Sequence, residues 1–187
     1  MSQSVVIIGS GGVGREIAAT LKKPYYIHHY ILEGFVDDGQ PSGTIINAYP
    51  VLGNLDWLIQ QKKIKKVFIA IGNPLVRIKI IERLNDFHFE FPTIIHPTAQ
   101  IHDMDFCQIG NGCYIAAQVV LTTNVVIEDF CLINTACTLQ HDTYIEKNCT
   151  LMPGVRITGG ATIGHSTYLS TNLAVTDNST ILPLSKL

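Results

Sequence analysis

Charge is scarce in this chain: Lys, Arg, Asp and Glu make up 15% of its 187 residues, and the formal net charge at pH 7 is −2. Without a basic excess there is no electrostatic footprint for a phosphate backbone, and nucleic acid is excluded as a partner. Long apolar runs are missing too. The run at residues 5–8 is too short for a signal-peptide core and passes straight into a glycine-rich turn. No later stretch reaches membrane-spanning length, which predicts a cytoplasmic chain without membrane insertion. Close cysteine pairs are also absent. The five cysteines, Cys107, Cys113, Cys131, Cys137 and Cys149, are odd in number and form no CxxC motif, so they read as reduced thiols.

What is present is a repeat. Every sixth residue from Ile109 is aliphatic: Ile109, Ile115, Leu121, Ile127, Ile133, Leu139, Ile145, Leu151, Ile157, Ile163, Leu169 and Val175. Four residues after each comes a second column running from Cys113 and Val119 to Thr167 and Leu173, nearly all small or β-branched. A period of six excludes an amphipathic helix, whose period is 3.6. It fits one short strand plus one corner per hexad, with the aliphatic residue pointing into a narrow interior. Three hexads close a triangular coil, so residues 18 apart stack at about 4.8 Å. Cys113, Cys131 and Cys149 then form an inward ladder, which small buried thiols fill well. Ile95 and Ile101 extend the phase backward, and the longer spacing at residues 102–108 predicts a bulge or loop.

The N-terminal part reads as alternating strands and helices. Residues 5–9 form a buried strand, 15–22 a helix, 30–36 a strand, 55–61 a helix, 66–71 a strand and 74–85 a helix. Three strands in this order make a small parallel α/β unit, a Rossmann-like half fold. Gly9, Gly11 and Gly14 match GxGxxG between strand and helix, where backbone can approach a phosphate. Asp37 or Asp38 supplies an acidic residue at the end of the second strand. Half of a full dinucleotide fold suits a single nucleotide better than NAD.

One family resembles the chain along almost its whole length. The shared segments are Gly9-Ser10-Gly11-Gly12, Phe35-Val36-Asp37-Asp38, Val51-Leu52-Gly53, Ala70-Ile71-Gly72-Asn73, Ile95-His96-Pro97 and then the hexapeptides. The order resembles the bacillosamine-pathway UDP-4-amino-sugar N-acetyltransferases and the sialic acid O-acetyltransferases. Residues 134–142, Asn-Thr-Ala-Cys-Thr-Leu-Gln-His-Asp, look like that family's catalytic stretch.

The resemblance implies a left-handed parallel β-helix over residues 93–187, after a nucleotide-sugar-binding α/β domain over 1–92. It also implies a homotrimer acting in surface polysaccharide biosynthesis, with acetyl-CoA as co-substrate. His141 would be the general base and Asp142 would raise its basicity. Gly11, Gly12, Val13, Asp37, Asp38 and Gly72 would hold the UDP-sugar, and Thr150, Gly159 and Thr171 the acetyl-CoA. Val13 and Thr150 stand where many members carry His, and the residues after Val175 lack a Gly-x-Pro-Ala-Lys ending.

The 18-residue stacking rule bears on the same site. It puts Gly159 over His141 and Gly160 over Asp142, predicting an open shelf on which a thioester meets the backbone, with an amide N–H polarising its carbonyl. Asn134 reads equally as an orienting group or as a polar ladder residue. His28, His29, His88, His96 and His102 read as structural, and His165 falls on a different edge from His141. No histidines stand five apart, the spacing with which gamma-class carbonic anhydrases hold zinc, so no metal is expected. O-acetylation of a sialic acid-like sugar and a non-catalytic scaffold or nucleotide-sugar sensor are the alternative readings.

Overall fold

The computed structural model describes residues 2–26 and 29–187; His28 lies outside them. Contacts divide the chain into two compact units, Met1–Gly72 with Lys79–Pro92, and Asn73–Ile78 with Thr93–Leu187.

In the first unit β1 (Gln3–Ile8) is the centre of a sheet because its last four residues, Val5, Val6, Ile7 and Ile8, are buried. It pairs in parallel with β2 (Tyr30–Val36) on one side and β5 (Lys66–Ile69) on the other. The helices are α1 (Gly12–Leu21), α2 (Leu55–Ile59) and α3 (Pro74–Leu84), of which residues 74–78, Arg77 among them, belong to the second unit. The sheet has five strands where the sequence reading gave three: β4 (Tyr49–Gly53) runs parallel to β2, and β3 (Ile45–Ile46) folds back on β4. Asn47 and Ala48, both at positive φ (48° and 73°), make the two-residue turn between them. That backbone suits a twisted hairpin and is commonly signalled by Asn-Gly, which Asn-Ala conceals. Gly14 is required by packing, since a Cβ there would sit 2.0 Å from the carbonyl oxygen of Gly9.

The second unit is the left-handed parallel β-helix. Two-residue strands, from β6 (Ile94–Ile95) to β20 (Thr180–Ile181), stack into three parallel five-stranded faces. Leu132 pairs with Thr150, Thr138 with Arg156 and Tyr144 with Thr162, each 18 residues apart on its own face. The lowest coil is wider: Ile94 pairs with Tyr114 and Gln100 with Val120, because an inserted turn, in which Cys107 N–H donates to Asp103 O (3.0 Å), occupies the expected bulge. From Ile115 to Leu169 the aliphatic column is at most 1% exposed.

The residues after Val175 continue the helix. Ile181 pairs with Ile163, and Leu187 N–H donates to Tyr168 O at 3.0 Å.

A third column sets the corners. Gly112, Gln118, Asn124, Phe130, Ala136, Asp142, Asn148, Gly154, Gly160, Ser166, Asn172, Asn178 and Leu184 all have φ between 54° and 74°. Each hexad therefore turns through one left-handed residue, the conformation that Gly, Asn and Asp adopt most readily.

Candidate active site

His141 and Asp142 form the corner between the second face, ending at β13 (Thr138–Leu139), and the third, starting at β14 (Tyr144–Ile145). The left-handed turn at Asp142 (φ 60°) lets its carboxylate fold back, and Oδ2 lies 2.8 Å from His141 Nδ1. Both side chains face solvent, at 62% and 58% exposure. The other carboxylate oxygen, Oδ1, accepts from Asn124 Nδ2 at 3.0 Å. The bond to His141, followed by that from Asn124, holds the Asp142 carboxyl below its ordinary value of 3.8. An ionised Asp142 can only accept, so Nδ1 of a neutral His141 carries the proton and Nε2 keeps a lone pair.

The expected shelf over this pair is filled. A Cβ on Gly159 would lie 2.4 Å from Cε1 and 2.6 Å from Nε2 of His141, so the imidazole itself covers the glycine. A Cβ on Gly160 would meet Asn178 Oδ1 at 2.3 Å. The stacking rule gave the right neighbours; the ring and the Asn178 amide occupy the space it left open. Gly159 thus lets a histidine lie flat on the coil above.

The glycine-rich turn of the first unit is built around Asp37. Its Oδ2 accepts from Ser10 N–H (2.8 Å) and Ser10 Oγ–H (2.6 Å), and its Oδ1 accepts from Gly39 N–H (2.9 Å). Burial alone would raise the Asp37 pKa; the Ser10 and Gly39 hydrogen bonds outweigh it and hold the group below 3.8. Asp38 Oδ1 accepts from Leu55 N–H (2.8 Å) at the start of α2. Gly11 and Gly12 are exposed at the start of α1 and Val13 is half-buried beside them. A Cβ at Gly11, Gly12 or Gly72 would meet nothing within 4 Å, so there is open space beside each of these positions.

The N-terminal domain of PglD matches residues 4–84. Solved structures match along nearly the whole chain. The acetyltransferase domain of PglB from Neisseria gonorrhoeae FA1090 is 25% identical, with a TM-score of 0.84 over 97% of this chain and 86% of that one. The same domain in complex with acetyl coenzyme A is 26% identical, with a TM-score of 0.85 over 98% and 86%. A mutant of perosamine N-acetyltransferase from Caulobacter crescentus, in complex with CoA and GDP-perosamine, is 26% identical, with a TM-score of 0.85 over 96% and 83%. No curated protein sequence matches significantly.

Along nearly its whole length the chain is similar to these acetyltransferases, and over residues 4–84 to the N-terminal domain of PglD.

The β-helix brings together His141, Asp142, Gly159 and Gly160 on one corner. Asn134 and Thr171 sit on the preceding corner, between the first and second faces. Asn134 is 6% exposed and its Nδ2 donates to Leu151 O at 3.0 Å, while Thr171 is exposed.

Thr150 lies on the first face and is fully buried. Its hydroxyl accepts from Arg77 Nη1 (2.9 Å), and Arg77 Nε also donates to Asn148 Oδ1 (2.8 Å). Burial pushes the Arg77 guanidinium down to about 10, so it stays charged at neutral pH. Nothing in the sequence signals Arg77, whose partners lie more than 70 residues away. Asn124 was legible from stacking alone, standing 18 residues before Asp142.

Among the described residues no group of three His, Cys, Asp or Glu side chains could hold a metal, and no helix is long and apolar enough to cross a membrane. A groove of about 650 Å³ on the third face, between Gln108, Val126, Glu128, Tyr144 and Lys147, includes none of the expected site residues.

Proposed function

We propose that the chain transfers the acetyl group of acetyl-CoA to the amine of a nucleotide-linked amino sugar, with His141 as the base. The observation that carries this is the exposed His141–Asp142 pair, with Nδ1 tied to a carboxylate at 2.8 Å. Nε2 takes a proton from the amine as its nitrogen attacks the thioester carbonyl; the C–S bond breaks and the proton leaves with the sulfur. The products are an N-acetyl sugar and free CoA thiol. Asp142 stabilises the transient imidazolium.

The nucleotide falls to the α/β unit, where open Gly11 and Gly12 begin a ten-residue helix whose N-terminus favours phosphate. Val13, Asp37, Asp38 and Gly72 complete that set, with UDP as the expected nucleotide. Of the residues expected to hold acetyl-CoA, Thr171 offers an exposed hydroxyl and Gly160 a half-exposed backbone, whereas Thr150 is buried against Arg77 and Gly159 lies under the His141 ring, so neither reaches the coenzyme. His141 is open to solvent, and Asn134 and Thr171 stand on another corner, so a homotrimer in which a second copy closes each site fits this distribution. Five free cysteines suit the cytoplasm.

Thiol release measured with acetyl-CoA and a panel of UDP- and GDP-linked 4-amino sugars tests the proposal. Release with an amino sugar supports it; release only with a sialic acid-like alcohol overturns N-acetylation. Light scattering is expected to give three times 20.6 kDa, and a monomer at micromolar concentration defeats the shared site.

A further inference from the structure

We propose that Asn124 is a positioning residue for acetyl transfer, acting on His141 through Asp142. The inference rests on His141 being the base. Asn124 stands one coil before Asp142 on the same corner, and both residues are left-handed, at φ 54° and 60°. Its Nδ2 donates to Asp142 Oδ1 at 3.0 Å, while Oδ2 lies 2.8 Å from His141 Nδ1. A carboxylate that is 58% exposed and held at one oxygen swings about its terminal torsion, whose preference is broad. Gripped at both oxygens, it keeps one plane.

That plane fixes the imidazole. The ring is confined on one side by Gly159, whose Cβ position lies 2.6 Å from Nε2, and its in-plane direction is set by the Nδ1 bond. An amide NH₂ donating to Oδ1 also favours the ionised carboxylate, and thereby the tautomer with hydrogen on Nδ1 and the lone pair on Nε2.

A turn residue alone would not need this contact. Asn172 and Asn178, equally left-handed, direct their amide oxygens at the Cβ positions of Gly154 and Gly160 instead, and Asn148, whose Nδ2 donates to Ser166 Oγ one coil on at 2.9 Å, meets a hydroxyl and no carboxylate. The Asn124 amide faces the one carboxylate that holds the base.

The experiment uses the full-length enzyme. Asn124→Gly removes the amide but tolerates the left-handed corner. Its kcat should fall about tenfold, the scale of one orienting hydrogen bond, while both KM values stay within about twofold. In an Asp142→Asn background the same change should cost nothing further, because its route is gone. Asn124→Asp should move the acid limb of the pH–rate profile to higher pH, since a second carboxylate beside Asp142 favours the imidazolium.

Wild-type kcat in Asn124→Gly, additive losses in the double variant, or an unmoved acid limb in Asn124→Asp would each overturn the inference. His141→Ala, assayed alongside, separates the two readings. If it keeps turnover, the base assignment fails and the Asn124 role with it. If it abolishes turnover while Asn124→Gly adds to Asp142→Asn, the base stands and the Asn124 role alone falls.

Discussion

Two histidines occupy the same place in the repeat. His141 and His165 each precede a left-handed corner residue, Asp142 (φ 60°) and Ser166 (φ 56°). Each carbonyl accepts from the coil above, His141 O from Gly160 N–H at 3.0 Å and His165 O from Leu184 N–H at 2.9 Å. The backbone is therefore the same, and the surroundings are not. His141 lies over a glycine and bonds a carboxylate. His165 is followed by a buried serine, whose hydroxyl accepts from Asn148 Nδ2 at 2.9 Å, and its own N–H donates to Glu146 Oε2 at 2.7 Å. In a repeat fold the coil supplies equivalent positions, and residues one and eighteen away decide what each of them touches.

The sharpest break of this comparison is to remove each imidazole. His141→Ala should lower turnover by roughly 10²- to 10⁴-fold, the range for a lost general base. His165→Ala should leave it near wild type. Steady-state release of CoA thiol reads both; equal losses at the two sites would show that the surroundings do not discriminate them.

Much of this was legible from the sequence, by different routes. The aliphatic column from Ile109 announced the β-helix, and the 18-residue rule paired His141 with Gly159. The column of corner residues was equally regular but went unread, because Gln118, Phe130, Ala136, Ser166 and Leu184 interrupt its Gly, Asn and Asp members. Ile181 and Leu187 keep the aliphatic phase beyond Val175, and Ile181 adds a rung to the third face. The β3–β4 hairpin was hidden by brevity and by Pro50, a residue that weakens any strand signal. Arg77 carries no signal, since burying a guanidinium depends on acceptors, Asn148 and Thr150, from a distant coil. Pattern reads what repeats; it does not read which side chain fills a gap.

That last point gives the second prediction. If Gly159 made room for the thioester, a side chain there would raise the KM for acetyl-CoA. The ring lying over it predicts otherwise. Gly159→Ala places a methyl 2.4 Å from Cε1 of His141 and must displace the imidazole, so kcat should fall by about 10- to 10²-fold, as for misplacement of a catalytic group by an ångström. The KM for acetyl-CoA should move less than the kcat. A KM effect with kcat preserved would restore the open-shelf reading.

Acid should then weaken the His141 corner more than the His165 corner. The Asp142 carboxyl is depressed below 3.8 in the folded chain. A group shifted down stabilises the fold fully above its unfolded value, and that contribution is lost as pH falls through the folded value. Asp142→Asn should therefore flatten the loss of melting temperature below about pH 4. The change should be small, because the group is exposed. An unaltered acid profile in this variant would detach Asp142 from the stability of its corner.

The smallest effect expected concerns a corner with neither histidine. Ala136 turns at φ 59° and is exposed, so it carries the left-handed cost of an L-residue, about 1–2 kcal/mol. Asn adopts this conformation more readily and spares the extra unfolded-state entropy that Gly brings. Asn124, Asn148, Asn172 and Asn178 already hold equivalent positions at φ 54° to 61°. Ala136→Asn should therefore stabilise the chain by about 0.5–1 kcal/mol, raising Tm by about 1–4 °C for a chain of this length, with kcat unchanged. Differential scanning calorimetry reads the shift. No gain, or a loss, would mean that the corners are held by stacking of the coils above and below, and that the preference of each corner residue counts for little.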